Sequence, residues 1–230
     1  MSTKREIAFP LVAVNFKTYA ESTGDAAVRL GKIADRVSVE TGVCIAVAPQ
    51  LIDLSQVILA VRIPTLAQHV DPYEPGPYTG HSSIEAVKRV GAAGSLVNHS
   101  EHMLKLSDID LIIQKMRRMG MKSIVCTNTA KVSAAVAALN PDIIAIEPPE
   151  LIGTGIPVSK AKPEIVTDTV SLISKVNAKA QVLCGAGITK GEDALAAIKL
   201  GTQGVLVASG VVKARDPFHA LTDLAKAVKA

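Results

Sequence analysis

Eight short apolar runs alternate with eight helical patterns along the 230-residue chain, and this alternation predicts an α/β fold closed as a (β/α)8 barrel. Spacing and polarity both favour closure over an open, doubly wound sheet. The average repeat of about 28 residues is slightly tight for such a barrel but compatible with it, and no G-x-G-x-x-G joins the first strand to the first helix. Asn15, Lys17, His99, Glu147 and two Gly-rich loops all fall at strand C-termini, the end at which these barrels carry their sites. We expect a single domain over residues 1–230, because barrels of this size are ordinarily one unit and no linker interrupts the chain.

Leu11 to Asn15 reads as the first strand, and the even spacing of Asn15 and Lys17 puts both side chains on one face. The following helix has Ala26, Leu30, Ile33, Ala34 and Val37 as its apolar stripe and ends at Gly42. Val43 to Ala48 is strand two, Pro49 to Val61 a short helix, and Thr65 to His69 strand three. The segment Val70 to Gly80 is too rich in Pro and Gly for a regular element. Ser82 or Ser83 caps the third helix, and Ser95 to Asn98 is strand four, which exits into His99-Ser100-Glu101-His102. Ser107 with Asp110 resembles a capping box ahead of the stripe Ile109, Ile112, Ile113, Met116. Ser123 to Cys126 is strand five, followed by an Ala-rich helix from Thr129 to Leu139. Asp142 to Ile146 is a nearly continuous apolar run with β-branched weight, as in a strand covered on both faces. Pro163-Glu164 opens the next helix with Ile165, Val166, Val170 and Ile173 inward. Val182 to Cys184 is strand seven, Gly191 to Leu200 its helix, Gly204 to Val207 strand eight, and Phe218, Leu221, Leu224 and Val228 the last stripe.

Composition narrows the function. Hydrophobic residues make up 48% of the chain in short runs, which supplies a core and nothing resembling a spanning helix. The Lys4-Arg5 pair precedes a run that is short, contains Pro10 and lacks a small-x-small cleavage site, so it reads as a strand and not a signal. The formal charge of +4 is scattered, and with no Trp, three Phe and three Tyr there is little on which to stack bases. A small anionic ligand fits this balance better than a nucleic acid. Cys44, Cys126 and Cys184 are odd in number and lack CxxC spacing, against a disulfide framework or metal knuckle and in keeping with a reducing cytoplasm.

Four features carry the chemistry. Glu147 ends strand six and runs into Pro148-Pro149-Glu150-Leu151-Ile152-Gly153-Thr154-Gly155, in which stiff prolines lead to a permissive Gly tip, as in a lid over Pro148 to Val158. Taken alone, the stretch fits an ordinary Gly/Pro loop as well. Lys17, with Asn15 beside it, can neutralise a phosphate or a developing enolate, although a single strand-end Lys is also a common solvated cation. His99 can donate from a neutral imidazole to a carbonyl oxygen, or can be a core histidine bonded to backbone. Gly185-Ala186-Gly187 and Ala208-Ser209-Gly210 follow strands seven and eight, the pair of loops at which barrels often bind phosphate.

Asn-x-Lys after strand one, His-Ser-Glu after strand four, Glu-Pro with Ile-Gly-Thr-Gly after strand six and a Gly-rich strand-seven exit together resemble triosephosphate isomerase, the family that gave the TIM barrel its name. The resemblance spans essentially the whole chain, and the compact length resembles the archaeal branch. It implies interconversion of dihydroxyacetone phosphate and glyceraldehyde 3-phosphate, a step of glycolysis and gluconeogenesis, without cofactor or metal. It also implies Glu147 as base, His99 as electrophile, Lys17 and Asn15 as electrostatic partners, and Glu101 as support for that cluster. Gly153, Gly185, Ala186, Gly187, Ala208 and Ser209 would form the phosphate site. These roles are borrowed from the family, for which tuned acid and base groups and lid closure are well known. Tyr78-Thr79-Gly80 resembles the loop tip that relatives insert into a neighbouring subunit near Asn-x-Lys, which implies a homo-oligomer, a tetramer built from two dimers in the archaeal branch. Three departures stand out: Cys184-Gly185-Ala186-Gly187 replaces Tyr-Gly-Gly-Ser, Pro149-Glu150 replaces Val-Trp, and His102 replaces Arg. The alternatives are a phosphate-binding aldolase or synthase, for which Lys17 is the only strand-end lysine available, and a barrel that only binds a phosphorylated ligand or a protein.

Overall fold

The computed structural model describes residues 6–148 and 161–230. Its strands are β1 (Leu11–Asn15), β2 (Cys44–Ala48), β3 (Leu66–Ala67), β4 (Gly94–Val97), β5 (Lys122–Thr127), β6 (Ile143–Ile146), β7 (Gln181–Cys184) and β8 (Gly204–Val207). The helices between them are α1 (Asp25–Thr41), α2 (Leu54–Ala60), α3 (Ile84–Arg89), α4 (Leu106–Arg118), α5 (Ala130–Ala137), α6 (Pro163–Val176), α7 (Gly191–Lys199), α8 (Ser209–Val212) and α9 (Pro217–Lys229). All strand pairs are parallel, in the order β2-β1-β8-β7-β6-β5-β4-β3. A parallel bridge between Val47 and Thr65 then joins the two ends of that order and turns the sheet into a barrel.

Strand parity explains why the runs are apolar on both faces. Leu11, Ala13, Ala46, Leu96, Ile124, Cys126, Ile143, Ala145, Leu183 and Leu206 pack together in the barrel interior. Their neighbours in sequence, among them Val12, Val14, Ile45 and Val205, pack under the helices of one half of the ring, and Val97, Val125, Ile144 and Ile146 under those of the other. A period of two therefore carries Ile143 and Ala145 inward and delivers Glu147 to the mouth of the interior, as Leu11 and Ala13 deliver Asn15.

The expected element order holds, with local differences. Strand three contracts to two residues because Thr65 is spent on the closing bridge and Gln68 leaves the ladder to bond elsewhere. The α1 stripe runs through Ala27 and Gly31 in place of Ala26. The proposed capping box at Ser107 and Asp110 does not form. The helix starts two residues earlier, at Leu106 with Lys105 as its N-cap, because the Lys105 carbonyl already accepts from the amides of Asp108 (3.0 Å) and Ile109 (3.0 Å). Ser83, not Ser82, caps α3 by accepting from the Ala86 amide at 3.2 Å. Ser209 and Gly210, read from sequence as loop, belong to the one-turn helix α8. No helix among the described residues is long and apolar enough to cross a membrane.

Candidate active site

Glu147 is 4% exposed, one step beyond the last residue of β6. Its amide still donates to the Thr127 carbonyl at 2.8 Å, so the sheet fixes its backbone. Around its side chain the barrel leaves little room. A Cβ on Gly185 would lie 2.5 Å from Glu147 Cγ and 3.0 Å from Cδ, closer than side chains pack, so only glycine admits the carboxylate here. Burial pushes the Glu147 carboxyl above its ordinary 4.5, while the neighbouring His99 ring, a hydrogen bond with the Cys126 thiol and the Lys17 ammonium pull the other way. Oε2 has no hydrogen-bond partner in the structure. A buried carboxylate with one oxygen unpartnered holds a proton more readily than an exposed one.

His99 faces it, with Nε2 3.6 Å from Glu147 Oε1. The orientation comes from Asn98, which takes a left-handed backbone (φ 59°) at the end of β4 and turns the chain out of the ladder. Asn98 is pinned on both sides, its amide group donating to the Cys126 carbonyl (3.0 Å) and its oxygen accepting from the Leu104 amide (2.8 Å). His99 Nδ1 accepts from the Glu101 amide at 3.2 Å, which leaves the ring proton on Nε2, directed to the mouth. The Glu101 carboxylate also approaches Nδ1, at 3.6 Å, but that separation exceeds a hydrogen bond and the carboxylate is more than half exposed, so the amide sets the tautomer.

Lys17 does not share a strand face with Asn15. It lies past the end of β1 in a left-handed turn (φ 48°), stabilised by its amide donating to Asn15 Oδ1 at 2.9 Å. Gln68 clamps this turn by donating to the Lys17 carbonyl (3.0 Å) and the Ala48 carbonyl (2.9 Å). The Lys17 ammonium binds Glu101 Oε1 at 2.7 Å. His102 stacks on His69 with ring centroids 4.0 Å apart. Sequence reasoning missed Gln68 and Asn98, single polar residues whose partners lie far along the chain.

Asn15, Lys17, His99, Glu147, Gly185, Gly187, Ala208 and Ser209 line one cavity, together with Tyr19 and Thr189, which the sequence did not single out. Ala186 is fully buried and packs into the core. Gly187 is left-handed (φ 72°). A Cβ on Gly210 would meet Thr189 Cα at 2.9 Å, so the absence of one lets the loops after β7 and β8 close on each other. Gly153 and the proposed lid, apart from Pro148, lie outside the described residues. The three cysteines are free thiols, and no group of His, Cys, Asp and Glu among the described residues is arranged to hold a metal ion.

The chain matches the triosephosphate isomerase family over residues 10–228. The chain belongs to that family. It is similar to the triosephosphate isomerase of Methanocaldococcus jannaschii, 53% identical over 94% of this chain and 99% of the relative. With the Methanothermus fervidus triosephosphate isomerase it shares 55% identity over 94% of this chain and 97% of the relative, and with that of Methanosarcina barkeri 49% over 96% and 100%. The archaeal triosephosphate isomerase resemblance read from the motifs is thereby borne out at the level of the family. That level also answers the aldolase alternative, as does the Lys17 ammonium, which is held by the Glu101 carboxylate at 2.7 Å.

Two outcomes follow from this geometry. Gly185→Ala should fold but displace the Glu147 carboxylate, lowering kcat by about 10²-fold with little change in KM, as steady-state kinetics would read. Parent-like turnover would mean that the contact relaxes without moving the carboxylate. The second concerns pH. Because the folded carboxyl titrates above its ordinary 4.5, the native state holds this proton more tightly than the unfolded chain, so ionisation costs stability. The cost is absent below the unfolded value, grows as pH rises and is complete above the folded one. Glu147→Gln should accordingly melt a few degrees above the parent at neutral pH and lose that advantage in acid, in melts run across the range. A gap independent of pH would remove the buried charge as its source.

Proposed function

We propose that this chain interconverts dihydroxyacetone phosphate and D-glyceraldehyde 3-phosphate through an enediolate, acting as a single catalytic domain without cofactor or metal. The observation that carries the reading is the buried carboxylate of Glu147 set against the Nε2 of His99 at 3.6 Å. A carbon acid beside a carbonyl is far weaker than a carboxylic acid, so Glu147 can remove its proton only if the charge arriving on oxygen is stabilised as it forms. His99 Nε2–H donates to that oxygen, and Lys17 with Asn15 supplies positive potential beside it, while Glu101 holds Lys17 in place. Glu147 then returns the proton to the adjacent carbon. No electrons leave the substrate and no bond to phosphorus changes, so the reaction requires no redox carrier.

The phosphate of the substrate would rest on the loops after β7 and β8, through Gly185, Ala186, Gly187, Ala208 and Ser209, with Gly153 completing the site. A short helix after the eighth strand is a recurrent phosphate element of such barrels, and α8 occupies that place. A cytoplasmic setting and the absence of a nucleic-acid partner agree with free thiols and a scattered positive charge.

The homo-oligomer is part of the same proposal. A cavity of about 570 Å³ opens beside Asn15, Lys17, Gln68 and His102, and it is suited to receive the exposed tip Tyr78-Thr79-Gly80 of a second copy. The loop bearing that tip is stiffened from within. Tyr73 and Tyr78 stack at 4.4 Å, and the buried Lys115 ammonium bonds the Tyr73 carbonyl (2.9 Å), Glu74 (3.2 Å) and Glu85 (2.9 Å). Two such pairs would give the tetramer.

A coupled isomerase assay tests the activity, and its variants test the roles. Glu147→Asp should retain the fold and lose about 10²-fold or more in kcat, since withdrawing the carboxylate by about 1 Å spoils its alignment. His99→Gln should depress kcat more than it raises KM, because its bond strengthens as charge develops. Near-normal turnover of the first variant removes Glu147 as base, and an effect confined to KM makes His99 a binding residue. For assembly, light scattering at assay concentration should give a dimer or tetramer; a fully active monomer refutes that part.

A further inference from the structure

The cavity at the barrel mouth has an electrostatic deficit on its phosphate side. Lys17 is the one cation among the described residues lining it, and its charge is already bound to Glu101 at 2.7 Å. Once Glu147 ionises, two carboxylates stand against that single ammonium. The loops after β7 and β8 offer backbone amides and the Ser209 hydroxyl, which carry no net charge, while the Thr189 hydroxyl already donates to the Asp193 carboxylate at 3.1 Å. A phosphate dianion approaching this mouth meets a negative local balance unless a cation stands nearby.

One does. Tyr19 lines the cavity, as Ser209 does, and Lys213, just past the end of α8, places its Nζ 4.3 Å from the centroid of the Tyr19 ring. Tyr19 is held in a built turn. Its carbonyl accepts from the Ser22 amide (3.1 Å), the Ser22 hydroxyl (3.1 Å) and the Thr23 hydroxyl (2.9 Å), and its ring packs against the apolar cluster under α1 and α9. Among the described residues the Tyr19 hydroxyl makes no hydrogen bond and Lys213 has no carboxylate partner. A cation on the face of a phenol draws electron density from the ring and makes its hydroxyl a better donor to an anion.

We propose that Tyr19 and Lys213 form a cationic wall that recognises the phosphate dianion of the substrate. Tyr19 contacts the phosphate through its hydroxyl; Lys213 is a positioning residue that holds the ring and adds unpaired positive potential. This rests on the isomerase reading above and extends it to residues outside the Gly-rich loops.

The test compares Lys213→Gln, Lys213→Arg and Tyr19→Phe with the full-length parent on glyceraldehyde 3-phosphate, on phosphate-free glyceraldehyde, and with inorganic phosphate as inhibitor. Lys213→Gln should raise KM for the phosphorylated triose and Ki for inorganic phosphate together, by about fivefold or more at low ionic strength, with a smaller change in kcat. The gap should narrow as salt is added. Lys213→Arg should restore both constants, Tyr19→Phe should weaken phosphate inhibition, and kcat/KM on glyceraldehyde should change far less. Equal losses on the two trioses, a loss confined to kcat, or failure of Arg to restore would mean that the pair only supports the fold, and the proposal falls. Unaltered phosphate inhibition in Tyr19→Phe would overturn the hydroxyl contact. A parent inactive on both trioses would remove the isomerase reading instead. The wall is then judged by calorimetric titration of inorganic phosphate into parent and Lys213→Gln, where equal affinity overturns it.

Discussion

The burial of one ionisable carboxylate at the end of a wholly apolar strand constrains everything around the barrel mouth. Glu147 inherits its inward direction from Ile143 and Ala145, so it cannot turn to solvent without breaking the parity that fills the interior. Burying it is unfavourable in itself. The structure leaves one oxygen unpartnered and offers the other an imidazole at 3.6 Å, an arrangement that suits the proton transfer proposed for this group. The absence of a side chain at Gly185 and the small thiol at Cys126 are the space and the polarity that this one group requires. Cys126 responds in turn, its thiol held well above the ordinary range by burial and by the neighbouring carboxylate.

Local strain is concentrated in the same place. Non-glycine residues in the left-handed region cost about 1 kcal/mol or more each, and two of the three among the described residues are Lys17 and Asn98. Both stand where a strand must release a side chain into the mouth and not continue in the ladder. Each is over-determined by hydrogen bonds, Lys17 by Asn15 and Gln68, Asn98 by Cys126 and Leu104. The third, Asn140, precedes β6 at the opposite end of the barrel, where its carbonyl accepts from Arg117. Stability generated by the packed interior thus holds a few backbone positions that would not persist alone.

What was legible in the sequence follows from these causes. Doubly buried strands announce themselves as short β-branched runs, and a polar residue just after such a run has few places to be but the rim, which is why Asn15, His99 and Glu147 could be picked out. The two-residue strand β3 and the one-turn helix α8 are shorter than any periodicity can register. Gln68 and Asn98 escaped because their partners, the carbonyls of Lys17 and Cys126, are 51 and 28 residues away, a distance only the closed barrel spans. The α4 cap was misread because a Ser-x-x-Asp pattern scores a side chain, whereas the Lys105 backbone carbonyl begins the helix. Tyr19 went unnoticed because its partner Lys213 lies at the far end of the chain, brought near only when β8 pairs with β1.

The placing of charge has its own logic. A free cation against Glu147 would favour the ionised form, lower the carboxyl pKa and weaken the base. The cation that bears on the proposed base, Lys17, is moderated by Glu101, which leaves a directed dipole instead of a bare charge. Phosphate binding faces the opposite demand, since a dianion gains most from unpaired positive potential. Meeting both in one cavity requires that they be separated. Amide-rich loops fit the phosphate side because their partial charges act at hydrogen-bond range and fade across the mouth. A full charge is tolerable only when set back, as Lys213 is, outside the lining and behind the ring of Tyr19. Glu147, the proposed base just beyond β6, and Lys213, just past α8, are separated by β7 and β8 in the strand order, so the order that closes the barrel would also keep the cation from blunting the base.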